Sequence, residues 1–225
     1  MVARGFAGEA VENALPTLRA AEGDANAVEF DVRPAGDGTP VVFHDDHVDR
    51  LTGATGRVTA FDAATLGRLQ LAGSDATIPR LADVLSVLAG PIVADLKGDR
   101  LSEAVVTRLR EYDARVLVSS ANPAVLEAIP PDLATAVLVL PASVDADWAI
   151  PADAPRSFEA GIDVAERVNA VAIHAHTSLC NETRVRRAQS AVFAVNAYTI
   201  SDRETAAAMR AAGVDGLIVD SPDVV

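Results

Sequence analysis

Short runs of Val, Ile, Leu and Ala recur along the chain, separated by stretches in which apolar positions return every three or four residues. The runs Met1–Ala3, Ala27–Val32, Pro40–Phe43, Ile92–Leu96, Arg115–Ser119, Ala136–Leu140, Ala170–Ile173, Ala191–Val195 and Gly216–Val219 predict strands. Most are continuously apolar rather than alternating, the pattern of strands covered on both faces. Leu101–Glu111, Ser157–Val168, Asp202–Ala212 and the shorter Thr183–Ala188 carry the helical period. Asp202 predicts an N-cap and Gly213 a C-terminal stop, while Asn122-Pro123 predicts another helix start with proline in its first turn.

Counting gives about eight strand–helix units, with Pro40–Phe43 as an extra piece inside the second connection, which predicts an α/β fold, a (β/α)8 TIM barrel. A doubly wound open sheet is the alternative. No linker divides the sequence, so one domain over residues 1–225 is expected. The longest connection, Asp45 to Arg80, contains Thr52-Gly53-Ala54-Thr55-Gly56 and a short helix at Ala63–Leu69. On a barrel it would be an enlarged loop, following the second strand region, over the active face.

Composition sharpens this picture in two places. Half of the chain is hydrophobic, enough to offset the entropy of ordering it, and Cys180 has no second cysteine to pair with. No run approaches the ~18 apolar residues of a membrane span, and no basic-then-apolar leader opens the chain, so a cytoplasmic protein is expected. The formal charge is −13, from 32 acidic and 19 basic residues, which argues against nucleic acid as a partner. Lys97 is the lone lysine; every other basic residue is arginine. An acidic, lysine-poor surface suits a halophilic protein, since concentrated salt blunts self-repulsion.

On a parallel barrel, reactive groups stand at the C-terminal ends of strands. Here those ends read Arg4-Gly5, Glu29-Phe30-Asp31, His44-Asp45 and Asp95-Leu96-Lys97. Glu29 and Asp31 lie two apart and share one face, as do Asp95 and Lys97. Carboxylates on an apolar strand are costly unless a cation offsets them, either Arg4 and Lys97 as ion pairs or a hard metal such as Mg2+ or Ca2+. Arg4 has the forked geometry for a phosphate, and His44 suits general acid or base work. His174 and His176 follow the run Ala170–Ile173, His174 for substrate contact or for capping and His176 for structure; His47 reads as a loop histidine and Cys180 as inert.

Taken in order, these residues resemble a known family. Arg4-Gly5, Glu12-Asn13 opening a helix, Glu29-Phe30-Asp31-Val32, Gly36-Asp37-Gly38 and Pro40-Val41-Val42-Phe43-His44-Asp45 are followed by Asp49-Arg50-Leu51-Thr52, Gly56-Arg57-Val58, Ile78-Pro79-Arg80-Leu81 and the ending Gly213–Asp223. The set is similar to the glycerophosphodiester phosphodiesterases, metal-dependent (β/α)8 barrels of lipid metabolism. The resemblance implies Glu29, Asp31 and Asp95 as metal ligands, Arg4 and Lys97 on the phosphate, His44 as one of two acid/base histidines, and hydrolysis of a small-molecule glycerophosphodiester to glycerol phosphate and an alcohol. Three positions depart from it. Ala3 replaces the first histidine, a loss that costs ~10²–10⁴ in rate; Asp95 replaces a glutamate; Tyr198 stands where a tryptophan usually lines the mouth for substrate. The alternative implied by Ala3 is a barrel that binds a phosphodiester or phospholipid headgroup without turnover.

Overall fold

The computed structural model describes residues 1–6, 11–99, 102–143 and 150–224. Eight parallel strands close on themselves: β1 (Val2–Ala3), β2 (Val28–Pro34), β4 (Ile92–Leu96), β5 (Val116–Ser120), β6 (Ala134–Val139), β7 (Ala172–His176), β8 (Ala194–Ile200) and β9 (Gly216–Val219). Closure is made by β1, which pairs β2 on one side and β9 on the other. The ninth strand, β3 (Pro40–Val42), runs antiparallel along the end of β2 and stays outside the barrel. The closed alternative therefore holds over the open doubly wound sheet.

Helices cover the outside: α1 (Leu15–Ala21), α2 (Ala63–Leu66), α3 (Leu81–Val87), α4 (Glu103–Arg110), α5 (Pro123–Glu127), α6 (Phe158–Val168), α7 (Glu182–Ser190) and α8 (Arg203–Ala211). Short polar side chains start several of them. Asn122, Ser157, Asn181 and Asp202 each accept a hydrogen bond from a first-turn N–H, satisfying donors the helix cannot. Helix α6 can lie close on the sheet because it carries Gly161; a Cβ there would stand 2.4 Å from Val139 Cγ2. The strands are buried through most of their length, as their continuous apolar runs predict.

Several expected boundaries move. Strand β7 extends past Ile173 to include His174 and His176, and β8 begins at Ala194, not at Ala191. In both, inward-facing polar residues interrupt an apolar run that nonetheless continues as strand. Val192 has φ 70° and is exposed, which ends any strand before it. Glu12 and Asn13 do not open α1, because Asn13 has φ 58° and helical geometry starts only at Leu15. Helix α2 ends at Leu66 and α4 starts at Glu103; Leu101, the expected start of α4, lies outside the described residues.

The connection from β2 to α3 is more than a loop. Val41, Phe43, Val48, Val58, Leu66 and Leu71 pack with their neighbours into a hydrophobic cluster separate from those under the barrel helices. Among the described residues, no helix is long and apolar enough to cross a membrane.

Candidate active site

One cavity, of about 110 Å³, opens at the C-terminal ends of the strands. Its two sides differ. The side built by β1, β2 and β4 carries Arg4, Glu29, Asp31, Asp95 and Lys97, with His44 beside them. The side built by β6, β7, β8 and β9 carries Leu138, Leu140, His174, Tyr198 and Ile218.

The charged side is a closed network. Register places Asp31 opposite Asp95 on the neighbouring strand, so the two i, i+2 pairs converge as their spacing predicts. Lys97 Nζ lies 3.1 Å from Asp31 Oδ1 and also donates to Asp95. Arg4 Nε is 3.1 Å from the other Asp31 oxygen, and its Nη1 is 3.5 Å from Glu12 Oε2. Asn13 grips Asp31 twice: its Nδ2 donates to Oδ2 at 2.9 Å, and its Oδ1 accepts from the Asp31 backbone N–H. Ser119 Oγ donates to Asp95 Oδ1 at 2.9 Å. Arg4 is aimed by a tight turn after β1, where Arg4, Gly5 and Phe6 all have positive φ. A Cβ on Gly5 would meet the backbone of Thr17 and Leu18 at 2.9 Å, so no larger residue fits.

The ion pairs with Arg4 and Lys97 are thus real, and they leave charge over. Three buried carboxylates face two cations. Burial pushes Asp31 up, but Lys97 and Arg4 outweigh it and hold it well below the usual carboxylate range. Glu29 takes the opposite course: burial and the Asp31 charge push it up to about 8. Oxygens of Glu29, Asp31 and Asp95 lie within 4.8 Å of one another. A buried all-oxygen set in which Glu29, beside the Asp31 charge, holds a proton fits a hard divalent ion that would take that proton's place.

His44 is anchored from both ends. Its Nδ1 lies 2.7 Å from Asp45 Oδ1, Arg50 donates to both Asp45 oxygens, and Arg50 Nη2 donates to Glu12 Oε1 at 2.7 Å. Its carbonyl accepts from Arg33 Nε at 2.7 Å. With Nδ1 held on Asp45, proton transfer to or from a substrate would run through Nε2. Burial lowers the His44 pKa below its ordinary value.

On the other side Tyr198 does not swing freely, because its OH donates to Val139 O at 2.7 Å. His176 packs edge-on against that ring, bonds Ser178 and is absent from the cavity lining. His47 sits away from the cavity beside Asp46. Cys180 is half-buried with its thiol pushed up to about 11, in keeping with an inert residue. Ala3 lines the cavity beside Arg4, with no imidazole in its place. Asn13, Ser119 and Arg33 were not among the expected site residues. Ser119 ends a strand run as Asp95 nearly does, and that position was the available signal; Arg33 and Asn13 act across gaps in sequence that carry none.

The model of the Glycerophosphoryl diester phosphodiesterase family matches residues 4–224 of the chain. A phosphodiesterase from Oleispira antarctica, solved in complex with the product sn-glycerol-3-phosphate, superposes with TM-score 0.84 at 27% identity over 99% of this chain and 93% of that one. YqiK of Bacillus subtilis is 27% identical over 98% of this chain and 93% of its own length. Glycerophosphodiester phosphodiesterase 1 of Homo sapiens is 46% identical over 56 residues, 24% of this chain and 17% of that protein.

Proposed function

The chain belongs to the glycerophosphoryl diester phosphodiesterase family, and from that premise we propose how its own residues carry out the reaction. It is a phosphoric diester hydrolase that cleaves a glycerophosphodiester to glycerol phosphate and an alcohol. Reading it as a binder without turnover is not favoured, because family and fold are those of the enzymes. We take the whole chain as one barrel domain.

The observation that carries the residue assignment is the convergence of Glu29, Asp31, Asp95, Arg4, Lys97 and His44 on one cavity. Glu29, Asp31 and Asp95 would hold a divalent metal, Mg2+ or Ca2+ by their oxygen chemistry, which would supply Lewis-acid stabilisation of charge developing on the phosphoryl group. Arg4 and Lys97 face the phosphate oxygens as fixed cations; their carboxylate partners hold them in place before substrate arrives. His44 moves one proton through Nε2, while Asp45 fixes the tautomer and steadies the imidazolium. Tyr198, pinned to Val139 O, presents its ring to the substrate. At position 3 there is no second proton carrier, so the chemical step is slower than a two-histidine site would give. Outside the mouth, the acid excess supports a protein adapted to concentrated salt.

Divalent-dependent release of glycerol phosphate from a glycerophosphodiester tests this reading, with Glu29→Gln and His44→Ala as variants. Activity that survives both substitutions unchanged would falsify the residue assignment.

A further inference from the structure

The charged side of the cavity accounts for binding a phosphate and moving a proton, but it leaves one polar atom opposite without a role. His174 lies inside β7, 1% exposed, with Leu138 and Asn196 as its cross-strand neighbours. Among the described residues, its Nε2 is the buried side-chain nitrogen or oxygen that has no hydrogen-bond partner. Folded proteins rarely leave such an atom unmade, because desolvation of the group is then uncompensated. The ring lines the same cavity as the metal-binding carboxylates, among Leu138, Leu140, Tyr198 and Ile218. The tyrosine hydroxyl there is already spent on Val139 O.

Resting on the hydrolytic reading above, we propose that His174 Nε2 is the group that recognises a hydroxyl on the glycerol arm of the substrate. Three observations favour a neutral hydroxyl over an anion. The cations that suit a phosphate stand on the opposite side, with β1 and β4. Burial pushes the His174 pKa down to about 4, so the ring is neutral at physiological pH. A neutral imidazole offers one donor and one acceptor nitrogen, and a hydroxyl can answer either. The aliphatic residues around it could bury the three-carbon skeleton but could not satisfy its hydroxyls. In this arrangement His174 is a specificity residue, and Ala3 remains uncompensated.

The test compares two monophosphates of equal chain length, sn-glycerol 3-phosphate and n-propyl phosphate, titrated calorimetrically into the metal-loaded protein. Wild type is expected to bind the glycerol compound about tenfold more tightly or better. His174→Leu is expected to erase that preference while holding propyl phosphate within about twofold of wild type. His174→Gln, which keeps a donor and an acceptor, should restore part of the preference, and it carries the comparison if the leucine variant does not fold. Equal binding of both compounds by wild type overturns the assignment, as does a preference that persists in His174→Leu. A preference that arises only between diesters differing in their alcohol arm also overturns it, since the hydroxyl would then lie on the wrong arm. If glycerophosphodiesters are hydrolysed without discrimination at His174, this inference alone fails. If the His174-dependent preference holds but no diester is cleaved, the hydrolytic reading alone fails.

Discussion

Asp31 and His174 are both 1% exposed and both line the same cavity, yet their surroundings have almost nothing in common. Asp31 is held by Arg4, Lys97 and two bonds from Asn13. His174 Nε2 is held by nothing. The protein has spent its internal polar groups on the side where charge must be fixed in advance, and left the other side to be completed from outside. Buried charge explains the asymmetry. An unpaired carboxylate in a strand costs far more than an unpaired neutral ring nitrogen, so the charged side must be complete in the folded protein, whereas the neutral side can wait.

That contrast can be attacked at several points. The largest effect is expected from Asp31→Asn, which removes the charge that Arg4 and Lys97 share and leaves Arg4 with Glu12 and Lys97 with Asp95: kcat/KM should fall roughly 10²–10³-fold, and unfolding in denaturant should show a loss of about 3 kcal/mol. His174→Leu, by comparison, should leave the denaturation midpoint unchanged or raised, because it removes an unsatisfied atom. Equal destabilisation by the two variants would dissolve the distinction.

Next in size is Ala3→His. An imidazole beside Arg4 would supply the second proton carrier and raise kcat by roughly 10². A rate that does not move would mean that proton transfer at this position does not limit turnover.

A third test uses pH. Glu29 titrates near 8 in the metal-free protein, against 4.5 ordinarily, because it is buried near Asp31. Between those values the folded chain holds a proton that the unfolded chain has lost, so the stability of the metal-free protein falls as pH rises from about 5 to about 8. The contribution is complete below the ordinary value and gone above the raised one. If Glu29 ligates the divalent metal as proposed, the ion displaces this proton, so about one proton should be released per ion bound at mildly acidic pH and none above about pH 9. Calorimetry in buffers of different ionisation enthalpy reads this directly, and release that is independent of pH would contradict it.

The smallest change is Tyr198→Phe. Losing the bond to Val139 O should cost about 1 kcal/mol of stability, seen as a lowered Tm. A change of several kcal/mol would mean that the second side is as tightly built as the first.

The charged side was also the more legible one in the sequence. Glu29, Asp31, Asp95 and Lys97 could be placed together because side-chain direction in a strand repeats every two residues and parallel register aligns strand ends. The barrel itself followed from alternation of apolar runs with helical periods. The opposite side was misjudged at its boundaries. Inward polar residues on β7 and β8, namely His174, Asn196 and Tyr198, fall beyond the apolar runs that the sequence marks as strand yet lie in the middle of the strands themselves. Asn13 meets Asp31 across 18 residues with no period to announce it, whereas Ser119, in register with Asp95 on the next strand, was signalled only by its place at the end of an apolar run. Nor could spacing reveal that Glu29 and Asp31, neighbours on one face, are driven to opposite protonation by which of them receives the cations.

The separate cluster of Phe43, Val48, Val58, Leu66 and Leu71 sets an order of failure for this enzyme. His44 follows Phe43 directly and bonds Asp45 within that extension, with Arg33 of β2 as its tie back to the barrel, whereas Glu29, Asp31 and Asp95 stand on strands of the barrel proper. Regions with their own cores open with their own free energies. Warming should therefore displace His44 before the barrel melts, so that turnover is lost while Glu29, Asp31 and Asp95 keep their places.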